Sequence, residues 1–221
     1  KGIYVIKIDK FDTIPDFTLP RFNYNFEKII SNDSSILGIR ENGTIYSESG
    51  EEGVKLFDEW EDYSFTTAAA TKKAFAVLDT EGAIYVWGNN EYGGEIPSDV
   101  SDTKDFLTIT GNSNSFAALN TSGNILTWGN PGSNSIYKNF YSDSSYETKE
   151  FVTICSNYDA FAALDTTGMI YFWGNENHGG YVSNNSPGDN IFTENIIGNG
   201  DDNGGAFCVI SKMGLIYTFG G

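Results

Sequence analysis

The chain has 221 residues, 13 of them basic and 30 acidic, and a formal net charge of −17. That balance argues against a surface built for nucleic-acid phosphates or anionic membranes, both of which need basic side chains. No apolar run approaches the roughly 18 residues of a membrane span. Two cysteines, Cys155 and Cys208, are too few for a disulfide framework and read as small buried apolar groups.

Taken in chain order, residues 1–25 form a partial copy of a repeat, because Gly2-Ile3-Tyr4-Val5 matches only its last strand. A weak full copy follows from Phe26 (FEKIISNDSSILGIRENGTIYSESG). An acidic run comes next: Glu48, Glu51, Glu52, Asp58, Glu59, Glu61 and Asp62, with Trp60 in its middle. It reads as a solvated outer edge that blocks strand pairing, or as a docking patch with Trp60 as apolar anchor. Three clear copies start at Phe65, Phe106 and Phe151, and a weaker one at Phe192. The leading phenylalanines are 39, 41, 45 and 41 residues apart, a period that marks a repeat architecture.

Each copy predicts three short strands and a loop, with Val54–Phe57 one candidate for a less regular fourth strand. The second strand is AFAVL, SFAAL, AFAAL or AFCVI, and the third IYVW, ILTW, IYFW or IYTF. Between them lie DTEG, NTSG, DTTG and their kin, which place Gly43, Gly82, Gly123, Gly168 and Gly214 where a hairpin loop requires positive φ. The second strand decides the architecture. A strand with one wet face alternates apolar and polar residues, and AFAAL does not. Both its faces must be covered, and no amphipathic helix is available as a cover. Sibling sheets packed face to face around an axis meet the demand, which predicts an all-β propeller of about five blades over residues 1–221. Six blades, or part of a larger or open propeller, are alternatives. A β-solenoid would need shorter repeats. The alanines suit the narrow inner strands, and Trp87, Trp128 and Trp173 fill the wider gap further out.

The pattern GxIYxWGNNxxGG, present as Gly82–Gly94 and with small changes as Gly168–Gly180, resembles the regulator of chromosome condensation repeat, in its short bacterial form. The resemblance implies the propeller and leaves the function open, since that family includes exchange factors for a nuclear small GTPase, a plant ultraviolet photoreceptor, ubiquitin-ligase substrate modules and a secreted β-lactamase inhibitor. The chain lacks the long insertion through which the exchange factors act. Its two arginines, Arg21 and Arg40, do not flank the repeat tryptophans as the photoreceptor reading requires.

Catalysis finds little support in the residues. The one histidine, His178, lies in a turn, and no serine elbow or phosphate-binding loop accompanies it. The loop Gly198–Gly205 offers oxygen ligands to a hard cation such as calcium without matching EF-hand spacing, and reads first as a solvated turn. No cofactor and no metal are expected. What remains is a loop rim. The loops after the WG pairs leave the same end of every blade and carry Tyr92, Glu95, Tyr137, His178 and Tyr181. The expectation is a non-enzymatic module that binds another protein, a basic one by its charge, through this rim and Trp60, without nucleic acid or membrane insertion. A structural subunit of a larger extracellular, surface or virion assembly is the second reading, and a nucleotide exchange factor the third. The compartment leans to extracellular or surface-exposed.

Overall fold

The computed structural model describes residues 25–49, 60, 62–129, 149–180 and 192–220. Among the described residues, fifteen strands form five antiparallel three-stranded sheets, each built from consecutive strands. Blade 1 contains β1 (Phe26–Ser31), β2 (Ser35–Arg40) and β3 (Ile45–Ser49). Blade 2 contains β4 (Phe65–Ala70), β5 (Ala74–Asp79) and β6 (Ile84–Gly88). Blade 3 has β7 (Phe106–Gly111), β8 (Ser115–Asn120) and β9 (Ile125–Gly129), and blade 4 has β10 (Phe151–Ser156), β11 (Ala160–Asp165) and β12 (Ile170–Gly174). Blade 5 closes the series with β13 (Phe192–Asp201), β14 (Gly204–Ser211) and β15 (Ile216–Gly220). The first strand of each blade starts at a leading phenylalanine of the repeat. The candidate fourth strand Val54–Phe57 lies outside the described residues.

The blades stack through their middle strands. Because strand side chains alternate, the middle strands of blades 2, 3 and 4 each present one set of residues to the preceding blade and the other to the following one. Leu37 and Ile39 of blade 1 pack against Phe75 and Val77 of blade 2. Ala76 and Leu78 meet Phe116 and Ala118. Ala117 and Leu119 meet Phe161 and Ala163. Ala162 and Leu164 meet Phe207 and Val209. From blade 2 onward a small residue thus faces a ring at each seam, and β5 and β11 are buried at all six positions. The phenylalanines also carry the tryptophans: Phe116 stacks on Trp128 with centroids 5.2 Å apart, and Phe161 on Trp173 at 5.3 Å.

Hydrogen bonds repeat with the same period. In blades 2, 3 and 4 the hairpin between the second and third strands is closed by an Asp or Asn whose Oδ1 accepts two backbone N–H groups, as Asp79 does from Glu81 and Ala83 at 2.9 and 2.8 Å. The hairpin glycine has positive φ in blades 1, 2, 3, 4 and 5 alike. The carbonyl of that glycine then accepts the N–H of the next leading phenylalanine: Phe65 donates to Gly43, Phe106 to Gly82, Phe151 to Gly123 and Phe192 to Gly168, at 2.8–3.1 Å. An added Cβ at Gly123 would lie 2.8 Å from Glu150 Cα, so glycine is needed for contact as well as for φ. Near the axis a second set of ties runs from blade to blade: Asp33 N–H to Lys72 O, Lys72 N–H to Ser113 O and Ser113 N–H to Tyr158 O.

Blades 1 and 5 differ from the interior. Ile36, the counterpart of Phe75, Phe116, Phe161 and Phe207, is 50% exposed. Ile216, the counterpart of the buried Ile84, Ile125 and Ile170, is 69% exposed. β14 alternates buried and accessible residues instead of being covered on both sides. Among the described residues, apolar clusters join blades 1–2, 2–3, 3–4 and 4–5, and none joins 5 to 1.

Candidate functional site

The rim after the third strands is built by one device seen twice. In blade 2, Gly88 leads into Asn89, whose side chain caps a 3-10 turn, Asn90–Tyr92, by accepting the Glu91 N–H. In blade 4, Asn175 caps Glu176–His178 in the same way. Each turn ends on a glycine in the left-handed region, Gly93 or Gly179. Each is anchored to its own blade by a bond to the third residue of the turn: Thr71 Oγ1 donates to Tyr92 O at 2.8 Å, and Asn157 Nδ2 to His178 O at 2.6 Å. Each also reaches the next blade. Trp128 Nε1 of blade 3 donates to Gly93 O at 3.2 Å, and an added Cβ on Gly179 would stand 3.1 Å from Phe219 O of blade 5.

This places the rim residues individually. Tyr92 is half-buried, packed against the core between blades 2 and 3, with Lys73 Nζ 5.2 Å from its ring. His178 is buried and stacks on Tyr158 at 5.5 Å. Glu95 is exposed and accepts from Asn90 Nδ2 at 2.9 Å. Tyr137 and Tyr181 lie outside the described residues. What the two turns display to solvent is acid and amide: Asn90, Glu91, Glu176 and Asn177 are exposed. Trp60, expected from sequence as a surface anchor, is half-buried at the outer end of blade 2, 5.3 Å from Tyr85, 5.6 Å from Trp87 and 5.8 Å from Phe65. Of the acidic run around it, Asp62 is exposed, and Glu51, Glu52, Asp58, Glu59 and Glu61 lie outside the described residues. Trp128 and Trp173 are fully buried, and Trp87 is half-buried. Gly82, Gly123 and Gly168 occupy the hairpin positions described above.

The blade axis opens as a funnel of about 710 Å³, lined by one segment from each of the five blades, including Asp33, Lys72, Ser113, Tyr158 and Gly200. Blade 5 alters it. The hairpin between β13 and β14 continues to the pair Asp201↔Gly204, whereas that of blade 4 ends at Ser156↔Phe161. The segment Gly198–Gly205, expected as a solvated turn, is therefore largely paired strand. Its tip carries Asp202, which meets Lys72 of blade 2 at 3.4 Å, and Lys72 Nζ also stands 4.8 Å from the Tyr158 ring of blade 4. Among the described residues, no three His, Cys, Asp or Glu side chains are grouped to hold a metal ion.

Sequence reasoning missed this bridge, because nothing in the pattern tells how far a hairpin reaches. It also missed the partnership of the hairpin aspartates with the third-strand tyrosines. Tyr85 and Tyr171 donate to Asp79 and Asp165, each at 3.1 Å. Burial, then the Asp79 carboxylate, raises the Tyr85 hydroxyl well above its ordinary pKa. Burial pushes Asp165 upward, but bonds from Thr167, Met169 N–H and Tyr171 outweigh it and hold that carboxyl below its ordinary value. The spacing from Asp79 to Tyr85 recurs from Asp165 to Tyr171 and was the available signal.

Repeated antiparallel sheets joined face to face and sharing an axial funnel define a β-propeller of about five blades. Its fold resembles the ectodomain of the Physcomitrella patens receptor kinase CR4, with 18% identity, TM-score 0.57 and coverage of 88% of this chain and 51% of that one. It also resembles Prp20p from Saccharomyces cerevisiae, at 14% identity, TM-score 0.59 and coverage of 87% and 57%. Human WBSCR16 is similar at 14% identity and TM-score 0.54, with coverage of 80% and 56%. The chain spans a little over half the length of these proteins. No protein-family model and no curated protein matches the sequence.

Proposed function

We propose that the chain is a non-enzymatic interaction module of the repeat type resembling the regulator of chromosome condensation, one repeat domain over residues 1–221, which holds a basic partner protein against its loop rim. The observation that carries this is the double pinning of the turns after β6 and β12. Each is tied to its own blade and braced by the next, so Glu91, Glu95, Glu176 and the edge of Tyr92 are displayed without an ordering penalty on binding. A net charge of −17 steers a basic partner toward such a surface. The likeness to Prp20p carries the fold alone, yet that protein has been characterised for binding to Gsp1p and to histones, and histones are basic. His178 serves as a buried support of the rim. Tyr137 and Tyr181 extend it on the same logic of repeat position.

The test compares capture from the native source by the wild type and by a Glu91→Lys, Glu95→Lys, Glu176→Lys variant, all three at exposed positions, with bound proteins identified by mass spectrometry. A basic protein that is lost from the variant and released by raised salt, at unchanged melting temperature, supports the reading. Equal capture of every protein by both sinks it. A second reading, a structural subunit of a larger assembly, is favoured by the exposed apolar flanks of blades 1 and 5. It predicts self-association that the rim substitutions leave intact.

A further inference from the structure

The chain contains three Asn-Gly steps: Asn42-Gly43, Asn199-Gly200 and Asn203-Gly204. At such a step the backbone nitrogen of the glycine reaches the asparagine side-chain carbonyl unhindered, because glycine carries no Cβ. With glycine following in all three, the unfolded chain treats them nearly alike, and the fold decides which step is open. Two are held. In blade 1 the Gly43 N–H donates to Arg40 O at 2.8 Å, and Asn42 Oδ1 accepts from Thr44 N at 3.1 Å and from Thr44 Oγ1 at 2.8 Å. Gly43 is buried, and an added Cβ there would lie 2.9 Å from Ser64 Cα. In blade 5, Asn199 and Gly200 stand inside the β13–β14 ladder, opposite Ala206 and Gly205. An added Cβ at Gly200 would lie 2.8 Å from Gly204 O. Ring closure at either step requires the backbone to leave those contacts.

The third step differs in every respect. Asn203 is exposed at the tip of the long blade 5 hairpin, beyond the last ladder pair, Asp201↔Gly204. Its backbone N–H donates to Asp201 Oδ1 at 2.9 Å, and its side-chain amide has no hydrogen-bond partner. An added Cβ at Gly204 would meet only Asn177 O, at 3.9 Å, so the step has room to rotate. The end of a ladder also opens at less cost than its interior. This tip is the one that carries Asp202 to Lys72 across the axis, at 3.4 Å.

We propose that Asn203 is a site of spontaneous deamidation, selected by the fold from the three Asn-Gly steps. The Gly204 nitrogen gives up its proton to solvent base and bonds to Asn203 Cγ. The Cγ–Nδ2 bond breaks, and the amide nitrogen leaves as ammonia after taking a proton from water. A water molecule then opens the succinimide at one of its two carbonyls, leaving aspartate or isoaspartate. Each event adds one negative charge beside Asp202 at the mouth of the axial funnel. The proposal is independent of the partner reading of the rim. The full chain is incubated in mildly alkaline buffer, folded and in urea, and peptide mapping by mass spectrometry separates Asn, Asp and isoAsp at positions 42, 199 and 203. In the folded chain Asn203 is expected to lose its amide at least roughly tenfold faster than Asn42 and Asn199, and the three rates to draw together in urea. Gly204→Ala, which the open surroundings accommodate, is expected to slow the reaction at Asn203 and to leave the other two positions unchanged. Equal rates at the three positions of the folded chain overturn the proposal, as does conversion of Asn203 in urea alone. An unchanged rate in Gly204→Ala also overturns it, since the Gly204 nitrogen is then not the attacking group.

Discussion

Blade 3 and blade 5 share one sequence pattern and differ in what lies beside them. In blade 3 the middle strand is sealed on both sides, its hairpin glycine hydrogen-bonds the next blade, and its tryptophan is held by the previous blade's turn. In blade 5 the equivalent glycine, Gly214, has the same left-handed φ, but an added Cβ would meet nothing within 4 Å. Ile210 and Ile216, which correspond to the buried Leu119 and Ile125, reach solvent. The pattern therefore encodes a module with two sticky faces, and neighbours rather than sequence decide which faces are sealed. A propeller blade is close to a one-dimensional repeat in this respect, with stability shared between modules and seams.

Paired substitutions at matching positions would sharpen this contrast or break it. Trp128→Ala removes a fully buried ring and its bond to Gly93 O, and should cost about 3–5 kcal/mol in chemical denaturation. Phe219→Ala, at the same position of blade 5 and half-buried, should cost about 1–2 kcal/mol. Leu119→Ala should cost about 2–5 kcal/mol, and Ile210→Ala less than about 1 kcal/mol. Equal losses within either pair would mean that the blade 5 face is sealed.

Glycine gives a smaller and cleaner contrast. Gly214→Ala carries only the left-handed backbone penalty, about 1–2 kcal/mol. Gly123→Ala carries the same penalty plus the clash with Glu150, which adds about 1–3 kcal/mol. Thermal unfolding of the two variants measures the difference.

The smallest effect is in acid. Asp165 closes the blade 4 hairpin where blade 5 has Ser211. Its folded pKa lies below the unfolded value of about 3.9, so its stabilisation is complete above that pH and disappears as pH falls through the folded value. Urea midpoints of the wild type and Asp165→Asn should differ near pH 5 and converge as the pH falls below the ordinary aspartate value. A constant gap would show that the carboxylate charge is irrelevant there.

Much of the fold was legible because the signals were periodic. AFAAL has no polar position, so a second cover was required, and the seams of small residue against phenylalanine follow from it. The five loop glycines announced their φ. The rim was legible as a position and less so as a surface: Tyr92 and His178 stand where the repeat puts them, yet the bracing turn draws both inward. That brace depends on Thr71 and Asn157, which are far in sequence from the turns and share no residue type. Trp60 sits among acidic residues in sequence and among rings in space, because a local run does not reveal a long-range contact.

Native-state hydrogen exchange resolved by strand tests the central claim most directly. If interior blades are sealed between siblings and blade 5 is sealed on one side only, amides of β5, β8 and β11 exchange at the slowest rate in the chain, and those of β14 and β15 at least roughly tenfold faster. Protection of β14 and β15 equal to that of β8 and β11 would contradict it.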